Sequence, residues 1–152
     1  MKSEKEDIVI SKVLVAVDGS ENSIKAARVA AEIAKNTASE LTILHVMTIP
    51  YSAFSGDVPL PLDDMEREAR KAGEEYLSKA ISAIKDKKIR VNTAITESYD
   101  SPVRGITEYA KKNNFDLIVV GTRGLGGFKR LVLGSVASGV VHYAHCSVTV
   151  VR

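Results

Sequence analysis

DLIVVGTRGLGGFKRLVLGSVASGVVHY, Asp116 to Tyr143, is the stretch around which the rest of the chain is organised. Its opening run, Leu117-Ile118-Val119-Val120, is short, β-branched and uncharged, as expected of a strand buried on both faces. Four glycines follow (Gly121, Gly124, Gly126 and Gly127), with a basic group of Arg123, Lys129 and Arg130. Gly134-Ser135 then introduces Val136, Gly139, Val140 and Tyr143 at helical spacing. Strand, glycine-rich loop and helix N-terminus, in that order, are the parts of a phosphate site. Glycine lets the main chain approach an anion closely, and the free N–H groups of a helix start favour negative charge.

The spacing Gly121-x2-Gly124-x9-Gly134-Ser135 differs from the two commoner phosphate loops. No Gly-Lys-Ser/Thr occurs in the chain, so there is no Walker A loop. Gly124-Leu125-Gly126 is followed by Lys129 where a G-x-G-x-x-G fingerprint needs its last glycine. The pattern resembles that of the nucleotide-binding universal stress proteins, G-2x-G-9x-G-(S/T). The resemblance extends to Gly126-Gly127-Phe128-Lys129-Arg130 and to the ending Val148-Thr149-Val150-Val151-Arg152. Ala144-His145-Cys146-Ser147 departs from it, lacking the proline often found before the last strand.

The remainder of the chain alternates strand and helix. Lys12 to Asp18 is a nearly continuous apolar run ending in a carboxylate, a central parallel strand that turns into a helix capped by Ser20 or Asn22. That helix runs to about Lys35, with Ile24, Ala27, Ala31 and Ala34 on one face. Leu41 to Val46 is the second strand. Met47 to Leu62 holds three of the four prolines, with Tyr51, Phe54 and Gly56, and connections this long tend to be functional. Asp63 to Lys85 reads as helix through Met65, Ala69, Ala72, Tyr76, Ala80 and Ile84. Ile89 to Thr96 alternates as a strand near a sheet edge. Ser101-Pro102 starts a helix that stops at Asn113-Asn114, and Ser147 to Arg152 closes the chain as a strand. The fold class is α/β, a doubly wound and mostly parallel five-stranded sheet with helices on both faces. Ligands of such sheets bind beyond the carboxyl ends of the strands, where strand order reverses. The resemblance implies the order 3-2-1-4-5, which puts that reversal between the first and fourth strands.

Length and composition bound the function. The 152 residues make one domain, with Met1 to Asp7 as a charged, frayed tail. An apolar content of 45% with 26% charged residues is that of a folded globule rather than a disordered chain. A net charge of +2 points to neither nucleic acid nor a membrane surface as partner. No segment is apolar enough to span a bilayer, no signal-peptide core is present, and the single Cys146 fits a reducing cytoplasm.

Asp18 reads either as a capping carboxylate near Ser20 or, at the reversal point, as an acceptor for a ribose or base. Arg123 suits a charge-assisted hydrogen bond to phosphate, whereas Lys129 and Arg130 read as a solvated face. Ser135 can cap the last helix and still touch a phosphate. His142, His145 and Cys146 lie close together, but no further ligand stands at metal spacing. The resemblance implies an adenine-nucleotide site drawn from Val17, Asp18, Val46, Gly121, Thr122, Arg123, Gly124, Gly134, Ser135 and Val136. In it, the main chain of Val46 holds adenine, Asp18 and Gly121 lie near the ribose, and the loop carries the phosphates. The ligand is ATP, or ADP or AMP, with Mg2+ bridging phosphates. The expected role is regulatory, in a stress response, with at most slow hydrolysis. An efficient ATPase or nucleotidyl transferase needs a base and a transition-state cation, for which Asp18 and Arg123 are the candidates. An interaction module without nucleotide conflicts with the intact glycine spacing, and a flavodoxin-like carrier with the absence of Trp. The resemblance also implies a homodimer, and Ser147 to Arg152, β-branched and without proline or lysine, is the edge strand suited to form it.

Overall fold

Among the described residues nine elements alternate: β1 (Lys12–Ala16), α1 (Glu21–Thr37), β2 (Glu40–Thr48), α2 (Leu62–Ala83), β3 (Val91–Ser98), α3 (Pro102–Lys112), β4 (Leu117–Gly121), α4 (Ser135–Tyr143) and β5 (Ser147–Val151). The computed structural model describes residues 7–50, 56, 61–86, 88–123 and 133–152. Tyr51, Phe54 and nearly all of the N-terminal tail therefore lie outside the described residues. The strands form one parallel sheet in the order β3-β2-β1-β4-β5, the order that the family resemblance implies.

Period-two alternation in the central strands sends apolar side chains to both faces of this sheet. Val13 and Val15 of β1, Ile43 of β2 and Val119 of β4 meet the alanine face of α1 and Leu77 of α2 in one core. Leu14, Leu44, Ile118 and Val120 meet Ile106 of α3 and Val140 of α4 in the other. The alanines of α1 are buried because a helix laid flat on a sheet has room for little more than a methyl group.

Local chemistry sets where the helices start. Ser20 caps α1, its hydroxyl accepting the Ser23 N–H at 3.2 Å, so Asn22 is not the cap. Ser101 caps α3 in the same way, accepting the Arg104 N–H, with Pro102 at the first helical position. Three strands differ from expectation. β2 continues to Thr48, and β3 runs Val91–Ser98 rather than Ile89 to Thr96, because the two pair without a break from Leu41↔Val91 to Thr48↔Ser98. β1, expected to reach Asp18, leaves the sheet after Ala16. β2 thus projects beyond its neighbour, which opens a crevice. Among the described residues no helix is long and apolar enough to cross a membrane.

Candidate functional site

The crevice lies at the carboxyl ends of β1, β2 and β4, where the strand order reverses. It encloses a cavity of about 280 Å³. Six residues expected at the site line it: Val17, Asp18, Val46, Gly121, Arg123 and Val136. Its floor is apolar, made by Ala16, Val46, Ile106 and Val120. A flat aromatic ligand suits such a floor, with polar main chain at the rim to orient it.

Main-chain direction at that rim follows from the ladder. Glu40 N–H donates to the Ser11 carbonyl at 2.9 Å, and the Leu44 carbonyl accepts Val17 N–H at 2.8 Å. Alternate residues of β2 therefore face β1: Glu40, Thr42, Leu44 and, continuing the alternation, Val46. Val46 lies past the last β1 residue, so its N–H and C=O face the crevice rather than a strand.

Asp18 is not the cap of α1, a position that Ser20 holds, but it lies in the turn just before it. Its carboxylate accepts the Ser20 N–H at 3.0 Å, and its own N–H donates to the Ser23 hydroxyl at 3.3 Å, which braces the turn into α1. It lines the cavity at the same time.

On the other side the chain leaves β4 through Gly121. A Cβ there would lie 2.9 Å from the carbonyl carbon and oxygen of Asn22, so the glycine admits the first turn of α1. Gly134 N–H donates to the Thr122 carbonyl at 2.6 Å, tying the end of the loop back to its beginning. A methyl group at 134 would lie 2.8 Å from that same oxygen. Gly134 is thus required by the chain's own closure, independently of any ligand. Thr122 is buried and does not line the cavity.

Ser135 does not cap α4, contrary to expectation. Gly134 occupies the cap position, no side chain caps the helix, and Ser135 is its exposed first residue. The early N–H groups of α4 consequently keep their capacity for an anion. Gly124, Gly126, Gly127, Phe128, Lys129 and Arg130 lie outside the described residues.

The structure adds residues that sequence reasoning missed. His45 and Tyr76 line the same cavity. His45 stands beside Val46 on β2, and its imidazole Nδ1 lies 2.8 Å from the Val17 carbonyl. Tyr76 belongs to α2 and meets the His45 ring edge-on, with centroids 5.2 Å apart. Its helical spacing marked it only as a packing residue. Pro102 and Ile106 come from α3, across the other face of the sheet.

The cluster at the end of α4 is separate. His142 and Tyr143 stack edge to face at 4.6 Å, and both are exposed. Burial pushes the Cys146 thiol above its usual range, the nearby Asp116 carboxylate adds to this, and the Ile118 N–H opposes it. A thiol held protonated is a poor metal ligand. Among the described residues no group of three or more His, Cys, Asp or Glu side chains is placed to hold a metal ion.

Comparison with known proteins identifies one family over nearly the whole chain. The model of the "Universal stress protein family" matches residues 10–152. Universal stress protein YxiE of Bacillus subtilis is 35% identical over 150 residues, covering 95% of this chain and 100% of that protein. Among solved structures, universal stress protein UspA from Lactobacillus plantarum superposes with a TM-score of 0.76 at 29% identity, covering 95% of this chain and 99% of that one. A universal stress protein solved in complex with cAMP superposes with a TM-score of 0.63 at 27% identity, covering 95% and 98% respectively. With its strand order, its crevice at the reversal point and its Gly121-to-Ser135 spacing all in agreement, the chain belongs to the universal stress protein family.

Proposed function

We propose that the crevice binds an adenine nucleotide, either ATP or its products ADP and AMP, and that binding serves a regulatory role in a cytoplasmic stress response. The observation that carries this reading is the projecting edge of β2. Val46 offers a donor and an acceptor side by side above an apolar floor. One adenine edge presents the complementary acceptor and donor, and its faces need apolar contact. In this reading the ribose lies near Asp18 and Gly121. The phosphates lie over Gly124, Gly134, Ser135 and Val136 at the start of α4, with Arg123 as their cation. The solved relative with cAMP supports the same ligand class.

Magnesium suits the site as a bridge between phosphates with water completing its octahedron, because Mg2+ needs few protein ligands when phosphate supplies oxygen. The chemistry proposed goes no further than slow hydrolysis. Asp18, the candidate base, already accepts the Ser20 N–H and braces the α1 turn. The protein is further proposed to form a homodimer through Ser147 to Arg152, since β5 ends the sheet and pairs with β4 on one side.

The test is to denature protein purified without added nucleotide and identify what it releases by mass spectrometry. Calorimetric titration of the emptied protein with ATP, ADP, AMP and cAMP completes it. An adenine nucleotide is the expected release. If no nucleotide is released and none of the four binds at millimolar concentration, the reading is refuted.

A further inference from the structure

We infer that His45 is a positioning residue that keeps the crevice edge of β2 open by taking the carbonyl with which β1 would otherwise close it. In a parallel ladder, a residue facing its neighbour uses both its N–H and its C=O there. The last rung made between β2 and the β1 segment is Val17 N–H to the Leu44 carbonyl, at 2.8 Å. The next would run from Val46 N–H to the Val17 carbonyl, and it is absent from the backbone hydrogen bonds of the described residues. The Val17 carbonyl is instead engaged by the His45 imidazole, 2.8 Å from Nδ1. A carbonyl can only accept, so Nδ1 carries the proton and donates. One side chain of β2 therefore draws the end of β1 off the ladder. The main chain of the very next residue is left directed at the crevice.

The ring is held in place by α2. A Cβ on Gly73 would lie 2.6 Å from His45 Cδ2, so only glycine lets the imidazole lie this close to the helix. Glycine weakens a helix interior, and at this position its absence of a side chain admits the ring. Tyr76, one turn further on, closes over the ring at 71° between planes. Imidazole, Gly73 and Tyr76 thus form one assembly whose hydrogen bond ends at Val17.

The affinity part of this inference rests on the proposed adenine site, whereas the strand geometry does not, and the test separates the two. Amide hydrogen exchange at Val46 is measured in the nucleotide-free protein for wild type, His45→Leu, His45→Asn and Gly73→Ala, together with AMP affinity. In wild type, Val46 should exchange at least about tenfold faster than Leu44, since an amide outside the ladder has no rung to break. His45→Leu frees the Val17 carbonyl, so Val46 exchange slows and AMP binds about tenfold more weakly, the worth of roughly one hydrogen bond. Gly73→Ala displaces the ring and should do the same. His45→Asn carries a side-chain N–H at the position of Nδ1 and should restore wild-type behaviour in both measurements. A Val46 amide already protected in wild type overturns the inference, as does exchange unchanged by both His45→Leu and Gly73→Ala. If exchange slows while AMP affinity holds, the role of His45 in the site is overturned. If exchange slows and wild type binds no AMP, the strand geometry stands and the adenine reading fails. Should His45→Leu not fold, Gly73→Ala and His45→Asn decide the matter.

Discussion

Gly121→Ala should destabilise the protein and disturb the crevice together, and the size of the effect follows from one contact. The added Cβ would lie 2.9 Å from both the carbonyl carbon and the oxygen of Asn22, and 3.0 Å from its Cβ. Carbon atoms pack at about 3.5–4.0 Å, so the two elements must separate by roughly half an ångström or more. Two of the three atoms met are main chain, so rotamer change cannot supply that space. They belong to the first turn of α1, held by Ser23 N–H on the Ser20 hydroxyl at 3.2 Å and by Ile24 N–H on the Ser20 carbonyl at 3.0 Å. Overpacking of this kind costs about 1–3 kcal/mol. With a urea slope of about 1–3 kcal/mol/M, the midpoint should fall by about 1 M at constant slope. Urea unfolding followed by circular dichroism measures it. Because the Asp18 to Ser20 turn moves with α1, AMP affinity should fall as well. A midpoint within about 0.2 M of wild type would show that the contact yields without cost, and the reasoning would be wrong.

Two further tests concern the opposite end of the sheet and its edge. The Asp116 carboxylate accepts Ser11 N–H, the Ser11 hydroxyl and Lys12 N–H, each at 2.9 Å. Partial burial raises its pKa, but these donors and the Lys12 charge outweigh burial and hold it below the usual range. A depressed folded-state pKa gives stability that is present above the unfolded value and lost as pH falls through the folded one. Asp116→Ala should therefore cost about 1 kcal/mol near neutrality, a partly exposed carboxylate being screened by solvent. That difference should shrink below about pH 4; a gap that persists to about pH 2 excludes this linkage. For the proposed dimer, Thr122 N–H donates to the Val151 carbonyl at 2.8 Å, so by alternation Thr149 also faces β4, while Val148 and Val150 face outward. Val150→Pro removes an outward donor, and light scattering should then report a monomer where wild type is a dimer. A monomeric wild type at micromolar concentration, or a folded Val150→Pro that stays dimeric, refutes pairing through this edge.

Sequence alone determined whatever depends on neighbours within a few residues. Burial on both faces demands uninterrupted apolar runs, so β1, β2 and β4 were legible to within two residues at each end. Ser20 and Ser101-Pro102 marked helix starts because capping is satisfied inside one turn. Asp18 and Gly121, singled out at the ends of their strands, both line the crevice. Tertiary structure decided what depends on partners far along the chain. That Gly121 makes room for Asn22, and Gly134 for the Thr122 carbonyl, is invisible until α1 and the loop are docked. Ser135 failed as a cap because Gly134, drawn in by its bond to Thr122, took the cap position. The register of β3 was set by β2 rather than by its own alternation, since an edge strand buried mainly on one face carries a weaker pattern. His45 read as an ordinary strand residue. Its hydrogen bond to Val17 and its seat against Gly73 and Tyr76 join three elements, and no local periodicity records a contact of that kind.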